Sequence, residues 1–142
     1  YALTQVPAAS LGVRFGYRTM LTIYLVLWSL GTVATGLATG FITLLAARLM
    51  VGIFEAGAYP NCSAIVRGWF PREVRGRANS VVTFGGRFGW AMAGILTPLF
   101  VLAFSGVSFA GITLVGWRAT LALYGIFGLV MALFFYRLAS DR

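Results

Sequence analysis

The sequence predicts an all-α membrane protein, a transmembrane helical bundle, and three observations lead there. Of its 142 residues 60% are hydrophobic and only 10% are charged, a balance foreign to a water-soluble domain of this size. The apolar residues fall in long runs, several of them near or above the roughly 20 residues that a helix needs to cross a bilayer. The charges lie between those runs or at their ends, with three exceptions: Arg48, Glu55 and Arg87. A net charge of +8 does not indicate nucleic-acid binding, because every cation is an arginine and they lie in short groups between apolar stretches, not on one amphipathic face. The single cysteine, Cys62, provides neither a disulfide framework nor a metal site, and the lack of histidine removes the commonest base and metal ligand. No cofactor or metal is expected. The chain opens on Tyr1 without a basic leader region and reads as an internal fragment.

Residues 1–11 are apolar but too short to span, and with Pro7 near their end they read as the last turns of a helix. Residues 12–18 form a tight basic turn, and 19–37 form the first full span. The uncharged link at 36–40 is so short that the next span, 41–66, must run antiparallel beside it. Pro60 should bend that helix and free a carbonyl near Ala56. Residues 67–77 are the most charged segment and belong in water or at the headgroups. A span over 78–104 carries Pro98 near its far end. An uncharged Gly- and Ser-containing link leads to Trp117 and Arg118 at an interface, a last span over 117–136, and a polar exit. Arg14, Arg18, Arg67, Arg72, Arg75, Arg77, Arg137 and Arg142 then fall on one side and Arg118 alone on the other, so the first side is cytoplasmic by the positive-inside rule. Trp69 and Trp117 sit at opposite interfaces, where indole rings are favoured.

Arg48 and Glu55 are seven residues apart on the 41–66 span, nearly two turns, so they share a face at a separation of about 10 Å. Counted from the outer end, Arg48 lies about 10 Å deep and Glu55 about 21 Å deep, on either side of the midplane. Placing such a residue at the centre of a membrane helix costs roughly 2.5–3.5 kcal/mol, which by default points to a function. A carboxyl held between a low dielectric and a nearby cation is suited to binding and releasing protons, and Glu55 is the candidate proton-coupling residue. The alternative is a Glu55 permanently paired on another helix. Arg87 lies about 15 Å beyond Arg77 along its helix, again near the midplane. Two midplane guanidinium forks suit a carboxylate, so Arg48, Arg87 and Tyr59 form the substrate-binding set. Alternatively, Arg87 pairs with a polar group on another helix. Gly85, Gly89 and Ala93 follow a small-xxx-small spacing and predict a packing seam on the helix of Arg87. There is no Ser/His/Asp set, no phosphate loop and no paired carboxylates; no catalytic residue is assigned and the protein is not expected to be an enzyme.

Arg48-x3-Gly52-x2-Glu55-Ala56-Gly57-x2-Pro60, then Trp69-Phe70-Pro71 and Arg75-Gly76-x-Ala78, resemble the fourth helix and following loop of the major facilitator superfamily, in its anion:cation symporter branch. Pro7 to Arg18 resembles that superfamily's loop between helices two and three, and Trp117-Arg118 the start of helix six. The resemblance implies the end of helix two through helix six, all within the N-terminal six-helix half (1–142) of a multi-pass cell-membrane transporter. It implies Arg48 as the substrate-anion arginine, Glu55 as the proton-coupling carboxyl, and Arg14, Gly16 and Arg18 as the cytoplasmic gating loop. The chain departs from the pattern at Val13, where an Asp is usual, and at Ala8 and Ala9, where glycines are usual. Leu96-Thr97-Pro98 stands in place of the helix-five antiporter motif, which counts against a drug exporter. The function implied is proton-coupled symport of a small organic anion, such as a sugar acid, by alternating access. Its partners are that anion, the proton, the lipid bilayer and the remaining helices, with no nucleic acid. The alternatives are an exporter or exchanger of the same superfamily and a non-transporting membrane sensor or assembly protein.

Overall fold

The computed structural model describes residues 2–106, 108–109, 112–113 and 115–139. The described residues form α1 (Ala2–Phe15), α2 (Tyr17–Leu37), α3 (Phe41–Glu55), α4 (Ala58–Trp69), α5 (Arg75–Phe104) and α6 (Gly116–Leu138). Between α5 and α6 a two-residue ladder joins β1 (Ser108–Phe109) to β2 (Ile112–Thr113), antiparallel, with Ser108 opposite Thr113 and Phe109 opposite Ile112. Among the described residues, four helical segments are long and apolar enough to cross a membrane: Tyr17–Leu37, Phe41–Trp69, Arg75–Phe104 and Gly116–Leu138. The all-α membrane architecture read from the hydrophobic runs is the one found. The link side chains over 107–114 and the exit residues 140–142, Arg142 among them, lie outside the described residues.

The basic turn expected over 12–18 is far smaller than its composition suggests. Helix α1 continues through Gly12, Val13 and Arg14 to Phe15, and the reversal is made by Gly16 alone at a φ of 87°, in the left-handed region that glycine tolerates without cost from a Cβ. Apart from Gly12, none of those four residues is a poor helix former, and Gly12 fits because α4 approaches it closely.

Helices α2 and α6 form the most extensive contact in the bundle. Small residues bring their backbones together. A Cβ on Gly125 would lie 2.9 Å from the Ser29 carbonyl, and one on Gly36 would lie 3.1 Å from the carbonyl of Arg118. The seam expected on α5 is not used in this way: a Cβ on Gly85 or Gly89 would meet nothing within 4 Å, and no described residue of α5 is buried. The buried hydroxyls of Ser29, Thr35 and Thr120 donate to carbonyls one turn back, on Leu25, Gly31 and Gly116, at 2.6 to 2.8 Å. Among the described residues, no buried hydroxyl on this seam lacks a partner.

Two arginines tie the ends of this antiparallel pair. At the start of α2, Arg18 donates to the Tyr136 carbonyl in the last turn of α6, from Nε at 3.2 Å and also from Nη2, and its guanidinium carbon lies 4.4 Å from the centre of the Tyr136 ring. At the start of α6, Arg118 donates from Nη2 to the carbonyl of Ala38, the cap of α2, at 2.9 Å. Carbonyls at helix C-termini have no partner within the helix and carry partial negative charge, so a cation is well placed there. Arg75 does the same for α4, donating to the carbonyls of Arg67 (2.9 Å) and Phe70 (3.0 Å) and closing the charged loop.

Candidate functional site

The span from Phe41 to Trp69 is interrupted in its middle by a two-residue turn whose backbone keeps helical dihedrals, a kink in one 29-residue segment. Helix α3 stops at Glu55, Ala56 and Gly57 intervene, and α4 starts at Ala58. Pro60 has no N–H and leaves the Ala56 carbonyl, four residues back, without its helical donor. The bend expected from Pro60 therefore takes the form of a break one turn earlier. Ala56 is completely buried, and Gly57 lies under the Tyr24 ring of α2, where a Cβ would stand 2.6 Å from Cδ2. Tyr24 is itself held, its hydroxyl donating to the Ala8 carbonyl of α1 at 3.2 Å.

Glu55 closes α3 on the wall of a cavity of about 580 Å³. Its neighbours there include Trp28 of α2, Tyr59 and Cys62 of α4, Trp90 of α5 and Tyr124 of α6. The Tyr59 hydroxyl reaches across to α5, 2.6 Å from where a Cβ of Gly86 would be. The Tyr124 hydroxyl shares a hydrogen bond of 2.9 Å with Thr97. Glu55 is the one charged side chain among the residues lining this cavity. Among the described residues it makes no hydrogen bond or ion pair, and neither do Arg48 and Arg87.

The sequence-derived candidates thus separate. Glu55 and Tyr59 share the cavity. Arg48 is exposed on α3, and Arg87 is exposed on α5 beside the cavity-lining Gly86; neither lines the cavity. Arg14 is exposed in the last turn of α1, Gly16 forms the reversal, and Arg18 is bound to α6. Sequence reasoning passed over Trp28, Trp90, Tyr124 and Cys62. For the two tryptophans a signal existed: indole is favoured at the membrane interface, yet both stand near the middle of their spans.

The family model of the Major Facilitator Superfamily matches residues 1–142. The chain belongs to that superfamily. This Major Facilitator chain is 38% identical over 101 residues to a D-galactonate transporter of Escherichia coli O6:H1, covering 71% of the chain and 23% of that protein. It is 28% identical over 129 residues to a hexuronate transporter of Bacillus subtilis, covering 91% and 28%. It is also 29% identical over 133 residues to a quinolone resistance transporter of Acinetobacter baumannii, covering 94% and 30%. Its fold matches the crystal structure of a bacterial homolog to the human lysosomal transporter Spinster, in an inward-facing and occupied conformation, with a TM-score of 0.78 and 30% identity over 99% of this chain and 34% of that one. The chain spans roughly a quarter to a third of the length of these relatives.

Proposed function

We propose that the chain is part of the N-terminal half of a cell-membrane importer that couples the entry of a small organic anion of the sugar-acid class to protons, by alternating access. The observation that carries this reading is the position of Glu55, an unpaired carboxyl at a helix break and the one charge on a cavity wall otherwise made of aromatic and small residues. In this reading Glu55 carries the proton by being neutral in one step of the transport cycle and charged in another. The flat faces of Trp28 and Trp90 suit the C–H faces of a sugar chain, and the Tyr59 hydroxyl can exchange hydrogen bonds with its hydroxyls. Arg48 and Arg87, exposed here, are the proposed carboxylate contacts, on surfaces that further helices of the full-length protein would meet. Arg14, Gly16 and Arg18 are proposed to gate the cytoplasmic side. The D-galactonate and hexuronate transporters among the relatives support the choice of substrate class.

The decisive experiment uses the full-length protein in proteoliposomes with D-galactonate and D-glucuronate as probes. Glu55→Gln should abolish uptake driven by a pH gradient while leaving counterflow, with probe on both sides, in place. Uptake that stays pH-driven in this variant refutes the proton role.

One observation favours a second reading. The match to a quinolone resistance transporter, together with the aromatic cavity wall, is compatible with export of a flat aromatic compound by the same fold. Accumulation of a fluoroquinolone in inside-out vesicles, with no uptake of either sugar acid, would establish it.

A further inference from the structure

Asn61 is fully buried, 0% exposed, one turn beyond the helix break. From Nδ2 it donates to the Gly57 carbonyl at 2.7 Å, while its own backbone N–H reaches that same carbonyl only at 3.4 Å. The side chain therefore closes the first turn of α4 more tightly than the backbone does. The other amide atom, Oδ1, has no hydrogen-bond partner, and it rests against Gly12 of α1, where a Cβ would collide with it. Exchanging the two amide atoms would set oxygen against the Gly57 carbonyl, so the hydrogen bond dictates the orientation. A buried acceptor without a donor is rare and calls for an explanation.

We infer that Asn61 is a positioning residue for Glu55. Its amide nitrogen fixes the first turn of α4, which begins two residues after Glu55 and carries the cavity-lining Tyr59 and Cys62, and its oxygen packs that turn against Gly12 of α1. The inference rests on the reading of Glu55 as the proton carrier, because the geometry of the break is what presents this carboxyl to the cavity. Cys62, the next residue, is half-buried and lines the same cavity, so its accessibility reports on the turn that Asn61 closes. The titratable groups facing Glu55 there are Tyr59, Cys62 and Tyr124.

Ser29, Thr35 and Thr120 show that a hydroxyl in this bundle donates readily to the carbonyl one turn back. Serine at position 61 can thus keep the bond to Gly57, and alanine cannot. The test compares Asn61→Ala with Asn61→Ser in the full-length protein, reconstituted and stripped of every cysteine but Cys62. Two quantities are read: the rate of Cys62 alkylation by N-ethylmaleimide, and the midpoint of the pH-dependent tryptophan fluorescence change that Glu55→Gln removes. Asn61→Ala should change the alkylation rate by about threefold or more and move the midpoint by about half a pH unit or more, with Asn61→Ser restoring both. Unchanged alkylation in Asn61→Ala, or serine behaving like alanine, overturns the positioning role. Altered and rescued alkylation with an unmoved midpoint overturns the link to Glu55. If Glu55→Gln removes no pH-dependent component, the proton reading fails, and alkylation alone decides whether Asn61 sets the turn. If Asn61→Ala does not yield folded protein, Asn61→Val and Asn61→Thr, alike in shape and different only in the hydroxyl, give the same contrast.

Discussion

Arg48 and Glu55 share a face of α3 and both are exposed, but Glu55 ends the helix on the cavity wall and Arg48 lies nearly two turns back, away from it. If Arg48 grips a substrate carboxylate, it does so through the planar fork, which lysine does not have. Arg48→Lys should therefore weaken apparent affinity for D-galactonate about tenfold or more in counterflow, the loss of roughly one charge-assisted hydrogen bond, with the amount of folded protein unchanged. Unaltered affinity would remove Arg48 from the substrate site. Gly57 poses a separate question, of space alone. Gly57→Ala must push the Tyr24 ring away from the break, and overpacking of this kind costs about 1–3 kcal/mol. A lowered melting temperature of the full-length protein in detergent is the expected result, and an unchanged one would mean that the ring yields freely.

At the scale of the helices, the arginines at the ends of α2 and α6 lead to a quantitative expectation. Each contributes a hydrogen bond from a charged donor to a carbonyl at a helix C-terminus, worth about 1.5–3 kcal/mol. Arg18→Gln and Arg118→Gln should each lower thermal stability in nanodiscs. Because they act at opposite ends of the helix pair, their effects should add in the double variant. A double variant no less stable than either single one would contradict two independent ties. The spans themselves were legible in the sequence, because a run of apolar residues in lipid has no option but to pair its backbone internally. The length of α1 was not, because the arginines around Gly16 read as a basic loop, whereas Arg14 and Arg18 lie within helical turns on either side of a one-residue reversal. Glu55 and Tyr59 could be nominated from charge and spacing. Trp28, Trp90 and Tyr124 join them only through the packing of five helices, α2 to α6, and the place of Asn61 depends on its oxygen lying against Gly12.

For the whole molecule, the arginine distribution predicts which face meets which compartment. Glu73→Cys should be labelled by an impermeant maleimide from the cytoplasmic side and Ser105→Cys from the outside, in a Cys62→Ala background of the full-length protein. Labelling of position 73 from outside would invert the topology. The two arginine ties also bear on how the protein meets its lipid. Arg18 and Ala38 are twenty residues apart on α2, about 30 Å of helix, close to the hydrocarbon thickness of an ordinary bilayer. Since each of these helices is fastened to the other at both membrane faces, neither can slide past its neighbour to match a thinner or thicker membrane. The pair acts as a fixed ruler. A change in bilayer thickness must then be met by tilting both helices together or by deforming the surrounding lipid.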